Sequence, residues 1–86
     1  MGATVSKKNP ANRSAKETEF LKKLAKAINV LASQKKISLE LMAYESGVSK
    51  GFIYDLAKGK ANPSVLTLFR IAEANNLKLS KFLKDL

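Results

Sequence analysis

Only three residues, Gly47-Val48-Ser49, separate two runs of helical periodicity in the middle of this chain, and a second glycine, Gly59, closes the later run. A joint that short holds two helices at a steep angle. Gly47 suits the left-handed backbone that ends one helix, and the Ser49 hydroxyl suits the start of the next. The later helix, Lys50 to about Lys58, thus has both borders fixed by sequence. A core helix does not need such strict borders, whereas a helix that must be aimed does. Val48, Ile53 and Leu56 are its apolar positions, and Ala43 is small where the two helices cross. With those residues inward, Lys50, Gly51, Tyr54, Asp55 and Lys58 are left outward.

The flanking sequence reads as helices too. Phe20, Leu21, Leu24, Ala25, Ile28, Leu31 and Ala32 recur at three- and four-residue steps, which predicts a first helix from about Thr18 to Lys35. Lys22, Lys23 and Lys26 fall mostly on its other side, and Phe20, Leu24, Ile28 and Leu31 are expected in the core. Ser38 caps a second helix, with Glu40 in its first turn where the helix dipole favours an acid and Leu41, Met42 and Ala43 as its apolar content. Asn62-Pro63-Ser64 is a turn and a cap opening a fourth helix, Val65 to about Asn75, and Asn76 suits a left-handed ending. A last short helix is expected over Leu79 to Asp85. No stretch alternates as a strand does, so the fold class is all-α with five helices. Residues 1–15 carry Lys7, Lys8 and Arg13 without an acid and read as a flexible basic tail before one domain over 16–86. Both a solvated terminus and an arm tracking a phosphate backbone fit that composition.

The chain has 86 residues, enough for one small domain, with no room for a separate sensor or catalytic domain. Cys and His are both absent, which removes disulfides, thiolate metal sites and the usual general base. No nucleophile–base set can be assembled, so an enzyme is not expected, nor a metal or other cofactor. No apolar run approaches a membrane span, and the start lacks a signal-peptide core. A basic amphipathic membrane binder is disfavoured as well, because the caps along the chain describe a globular domain. A soluble, cytoplasmic protein is expected, nucleoid-associated if it binds DNA. Sixteen Lys and Arg against seven Asp and Glu leave a net charge of +9 and a pI near 10.0, a field that draws polyanions by counterion release.

The segment from Ile37 to Leu83 resembles the lambda-repressor-like, Cro/XRE-type helix-turn-helix family. The residues that carry the likeness are Met42-Ala43, Gly47-Val48-Ser49, Ile53, Gly59-Lys60, Asn62-Pro63-Ser64, Ile71-Ala72 and Phe82-Leu83. The resemblance implies a sequence-specific, DNA-binding transcriptional regulator whose third helix enters the major groove. It assigns base contacts to Ser49, Lys50, Gly51, Tyr54 and Asp55, and phosphate contacts to Ser38, Leu39, Lys58, Lys60 and Asn62. The chemistry suits these roles, since a lysine donates to guanine O6 or N7 and an aspartate accepts from cytosine N4. Two departures stand out. Leu39 replaces the glutamine common in the family, and Ala32 and Ala57 replace an Arg–Glu pair that links the first and third helices, so no charge is left unpaired.

Leu66, Phe69, Leu79, Phe82, Leu83 and Leu86 exceed what one small core can use. Because members of the family often pair as two-fold dimers through this region, the resemblance implies a homodimer through the last two helices, with Leu66, Phe69, Leu79, Phe82 and Leu86 at the interface, reading a palindromic operator on double-stranded DNA. Packing within the domain is the other use for these residues. The other class of function compatible with this fold is a protein-interaction module, antitoxin-like or an adaptor, without specific base readout.

Overall fold

The computed structural model describes residues 14–84 and 86. The basic tail lies outside these up to residue 13, as does Asp85. Among the described residues five helices follow one another: α1 Ala15–Lys35, α2 Leu39–Ser46, α3 Lys50–Ala57, α4 Val65–Ala74 and α5 Leu79–Phe82. No strand occurs among the described residues. α1 packs on α3, α2 sits against both α3 and α4, and α5 folds back on α4. Leu24, Ile28, Met42, Ile53, Leu56 and Ile71 are the largest fully buried side chains, so four of the five helices supply the centre of the core. Burying each of these side chains stabilises the fold by about 1.5–3 kcal/mol relative to exposure.

Helix ends are built to one recipe. Ser14, Ser38, Ser49 and Ser64 each accept a hydrogen bond from the amide three residues on, at 3.0–3.1 Å. A serine cap is worth about 1 kcal/mol, a large share for helices of eight residues. Ser14 adds a reciprocal bond, its own amide donating to Glu17 Oε1 at 3.0 Å. That capping box starts α1 three residues earlier than the apolar periodicity predicts, and takes Ser14 and Ala15 out of the tail.

The other ends repeat as well. Ile37, Val48 and Leu77 donate their amides to Ala32, Ala43 and Ala72, at 3.0, 3.0 and 2.9 Å. In each case the residue before the donor, Lys36, Gly47 or Asn76, has positive φ. This is the Schellman ending, with a buried alanine beneath a half-buried apolar residue. α3 ends in the same geometry with polar residues: Lys60 donates to the Asp55 carbonyl at 2.8 Å across Gly59, φ +78°. Three of the four endings are therefore sealed into the core, and the fourth, at the end of α3, carries charged residues that remain exposed.

Two further expectations differ from the structure. Phe20 is 46% exposed, not core; its ring shares a shallow open groove with Lys16, Glu19, Lys23 and Leu86 and is covered on one side only. α5 is one turn, ending at Phe82, and Leu83 and Lys84 continue as a turn. The short α5 lets Phe82 tuck under α4 at 8% exposure.

Ser46, at the end of α2, is 5% exposed, and its hydroxyl has no hydrogen-bond partner. Replacing it with Ala removes an unpaid desolvation cost without opening a cavity. Ser46→Ala is expected to stabilise the fold by about 1 kcal/mol, which thermal unfolding should register as a rise of about 4–8 °C for a domain of this size. A lower midpoint would mean that the hydroxyl is bonded after all.

Candidate nucleic-acid interface

α3 is fastened at both ends and along one side. Ile53 and Leu56 are fully buried beneath it, and Val48 and Phe52 pack partly against the same core. At its C-terminus the Asn29 side-chain amide donates to the Ala57 carbonyl at 3.0 Å, while also donating to Ala25 in its own helix at 2.9 Å. Gly59 lies beside the α1 backbone, where an added Cβ would stand 3.6 Å from the Leu21 carbonyl oxygen. That is ordinary contact, so glycine is demanded there by its φ and not by lack of room. Ala32 and Ala57, at the places of the family's Arg–Glu pair, both join the apolar cluster, and Asn29 makes the polar link between the two helices.

The N-terminal half of α3 faces outward. Ser49, Lys50, Gly51, Tyr54 and Asp55 are all exposed, as are Lys58, Lys60 and Asn62 in the segment that follows. Ser49 Oγ is occupied as an acceptor by the Phe52 amide at 3.1 Å, which leaves its O–H to donate outward. Nothing lies within 4 Å of a Cβ placed on Gly51, so the fold does not require a glycine there. At the start of α2, Ser38 is exposed but Leu39 is half-buried against the core, so only its backbone faces out with Ser38.

Lys50 does not stand free. Its Nζ donates to Glu40 Oε2 at 3.0 Å, joining the first turn of α3 to the first turn of α2. That hydrogen bond and the carboxylate's charge hold the Lys50 ammonium above the ordinary lysine range, with a smaller contribution from Tyr54. Both side chains remain more than half exposed, so the pair is screened by solvent and orients more than it stabilises. The sequence assigned Glu40 to the helix dipole alone; ten residues of separation and a corner in between conceal the pairing.

Charge is unevenly shared. From Ser38 to Ser64, Lys50, Lys58 and Lys60 are matched by Glu40, Glu45 and Asp55, so the two-helix corner carries no net charge. The +9 of the chain resides outside it. Lys35 and Lys36, just ahead of the Ser38 cap, are exposed and belong to that excess; sequence periodicity gave no reason to single them out.

The residues expected at a dimer face divide. Leu66 and Phe69 are 55% and 45% exposed on α4, and Val65, absent from the expectation, is 72% exposed beside them. Leu79 and Leu86 are half-buried against the domain's own core, and Phe82 is inside it. Phe82 is thus consumed within the domain, and of the residues expected at that face only Leu66 and Phe69 of α4 stay exposed.

The arrangement has counterparts among known proteins. A crystal structure of an HTH_3 family transcriptional regulator from Vibrio cholerae superposes with a TM-score of 0.74 at 26% identity, covering 80% of this chain and 39% of that one. The present chain therefore corresponds to well under half the length of that regulator. No curated protein matches the sequence closely enough to count as a relative. The helix-turn-helix family model HTH_3 matches residues 31–82, which takes in α2, α3, α4 and the turns between them. More than half of the sequence falls within that match, and the chain belongs to the HTH_3 helix-turn-helix family.

Proposed function

We propose that this protein is a sequence-specific DNA-binding transcriptional regulator that reads a palindromic operator with the N-terminal half of α3. The observation that carries this reading is that α3 is clamped at both ends while Ser49, Lys50, Gly51, Tyr54 and Asp55 remain open to solvent. A helix fastened at both ends with a solvent-exposed outer face meets the geometric demand of major-groove readout. The HTH_3 family and a structural neighbour described as a transcriptional regulator support the same function.

In this reading Lys50 donates to guanine and Asp55 accepts from cytosine, Ser49 donates its hydroxyl, and Tyr54 packs on a thymine methyl. Gly51 permits close approach of the α3 backbone to the groove. Phosphates are met by Lys58, Lys60 and Asn62 after α3, and by the backbone amides of Ser38 and Leu39 at the α2 N-terminus, with Lys36 beside them. Two copies join through Val65, Leu66 and Phe69 of α4, which sets their recognition helices about one DNA turn apart.

The exposed apolar face of α4 also fits the alternative, an interaction module that keeps the fold without base readout. Selection of bound duplexes from a random library separates the two. A preferred palindrome supports the regulator, and an unenriched library supports the module.

Four outcomes are expected for the regulator. Lys50→Ala should weaken binding to the selected duplex about tenfold to a hundredfold and leave random duplex nearly unaffected. Lys60→Ala should weaken both alike and reduce the slope of log affinity against log salt by about one. Filter-binding titrations over a salt series distinguish the two, and identical behaviour of the variants would overturn the assignment of roles. Gly51→Ala should keep or raise the thermal midpoint, since alanine favours a helix by about 1 kcal/mol over glycine, while lowering affinity for the selected duplex. Undiminished affinity would remove the close-approach role. Sedimentation at tens of micromolar should show a dimer that Phe69→Asp dissociates, with the dimer constant weakened about tenfold or more. A monomer in the unaltered protein would exclude pairing through α4.

A further inference from the structure

The Glu40–Lys50 pair goes further than the assignment of Lys50 to a base. Glu40 is the second residue of α2, and Lys50 is the first residue of α3. Their 3.0 Å contact spans the corner, and both side chains are more than half exposed. An acid at that position is costly for a protein that only holds DNA. The α2 N-terminus is where a phosphate would seat, and a carboxylate there repels it. The same acid neutralises Lys50, which by itself would be drawn to the nearest phosphate as readily as to a base. An ammonium has three donor hydrogens, and one bond to Glu40 leaves two for acceptors on a base edge.

We propose that Glu40 is a positioning and specificity-determining residue: it withholds Lys50 from the phosphate backbone and aims it at a base, so that the lysine contributes to discrimination without adding to general affinity. The proposal rests on the regulatory reading above and adds to it a role for a residue outside the recognition helix. It also gives a reason for the neutral corner. Lys50 meets the groove with its charge already compensated by Glu40, and the excess of lysine outside the corner supplies attraction. A paired lysine displaces few counterions on docking, because its charge was compensated before DNA arrived.

The test is a double-mutant cycle with the full chain, using the duplex selected by the unaltered protein and a random duplex of equal length. Glu40→Gln keeps the side-chain shape and removes the charge. It is expected to strengthen binding to random duplex roughly three- to tenfold at moderate salt and to steepen the salt slope by about one, because Lys50 becomes free to meet a phosphate. Binding to the selected duplex should gain less or fall, so the ratio between the two duplexes drops. In the Lys50→Ala background, Glu40→Gln should leave that ratio and the salt slope unchanged. Equal thermal midpoints for the Glu40→Gln variant and the unaltered protein confirm that the effect is not one of folding. If Glu40→Gln shifts both duplexes equally whether or not Lys50 is present, Glu40 is a mere surface charge and the proposal is overturned. If the unaltered protein prefers no duplex at all, the regulatory reading itself fails, which is a separate and recognisable result.

Discussion

Helices of eight residues cannot hold themselves together in water, because nucleation fixes several residues before any bond is returned. Both α2 and α3 are that short. Everything that keeps α3 in place must therefore come from its ends and from one buried side. Its first turn is closed by the Ser49 hydroxyl, its last by the Lys60 amide reaching back to Asp55, and its terminal carbonyl at Ala57 by Asn29 of α1. Between these points Ile53 and Leu56 contribute burial without reaching the outer face. The consequence for function is direct. Apart from Ser49, whose hydroxyl closes the first turn, no outward side chain holds the helix, so the rest of the outer face is free to be chosen for whatever it meets.

That freedom shows in how charge is distributed. A strongly basic protein invites the view that its lysines are gathered on the reading surface. Here the corner of α2 and α3 is electrically balanced, and the excess lies on α1, on the segment from α4 onward and in the first residues of the chain. Attraction to a polyanion is long-ranged and tolerant of position, so it can be supplied from any exposed face. Base readout is short-ranged and intolerant, and it suffers when a mobile lysine has a phosphate as an alternative partner. A fold that separates the two tasks can tune one without altering the other.

The parts of this design that lay in local sequence were readable there. Ser38, Ser49 and Ser64 announce helix starts, and Gly47, Gly59 and Asn76 announce ends, because capping is a matter of a few consecutive residues. Ser14 and Lys36 obey the same rules and escaped notice for opposite reasons. Ser14 precedes a turn with no large apolar residue, so periodicity begins later than the helix does. Lys36 takes φ +56° without being Gly or Asn; its signal was instead the repeated spacing of alanine, three residues, a left-handed residue and an apolar one, shared by Ala32–Ile37, Ala43–Val48 and Ala72–Leu77. Phe20 and Phe82 went to the wrong surfaces because a helix face says which residues lie together but not what covers them. The Glu40–Lys50 pair depends on the angle between two helices, and Asn29 on a contact twenty-eight residues away; neither has a local trace.

The glycines near the corner separate structural need from surface need. Gly47 and Gly59 sit at φ +70° and +78°, where a side chain is strained whatever the space around it, and the fold explains them completely. Gly51 is different. It occupies an ordinary helical position in the first turn of α3, with open space where a side chain would go. On propensity alone it weakens an already short helix by about 1 kcal/mol relative to alanine. Nothing inside the domain gains from that loss, since no neighbour approaches the site closely enough to demand it. In the proposed regulator that loss is offset outside the domain, where the duplex comes near enough for a methyl group to matter. In that reading Gly51 serves recognition independently of the charged residues around it, from its place between Lys50 and Tyr54 on the face that α3 leaves open.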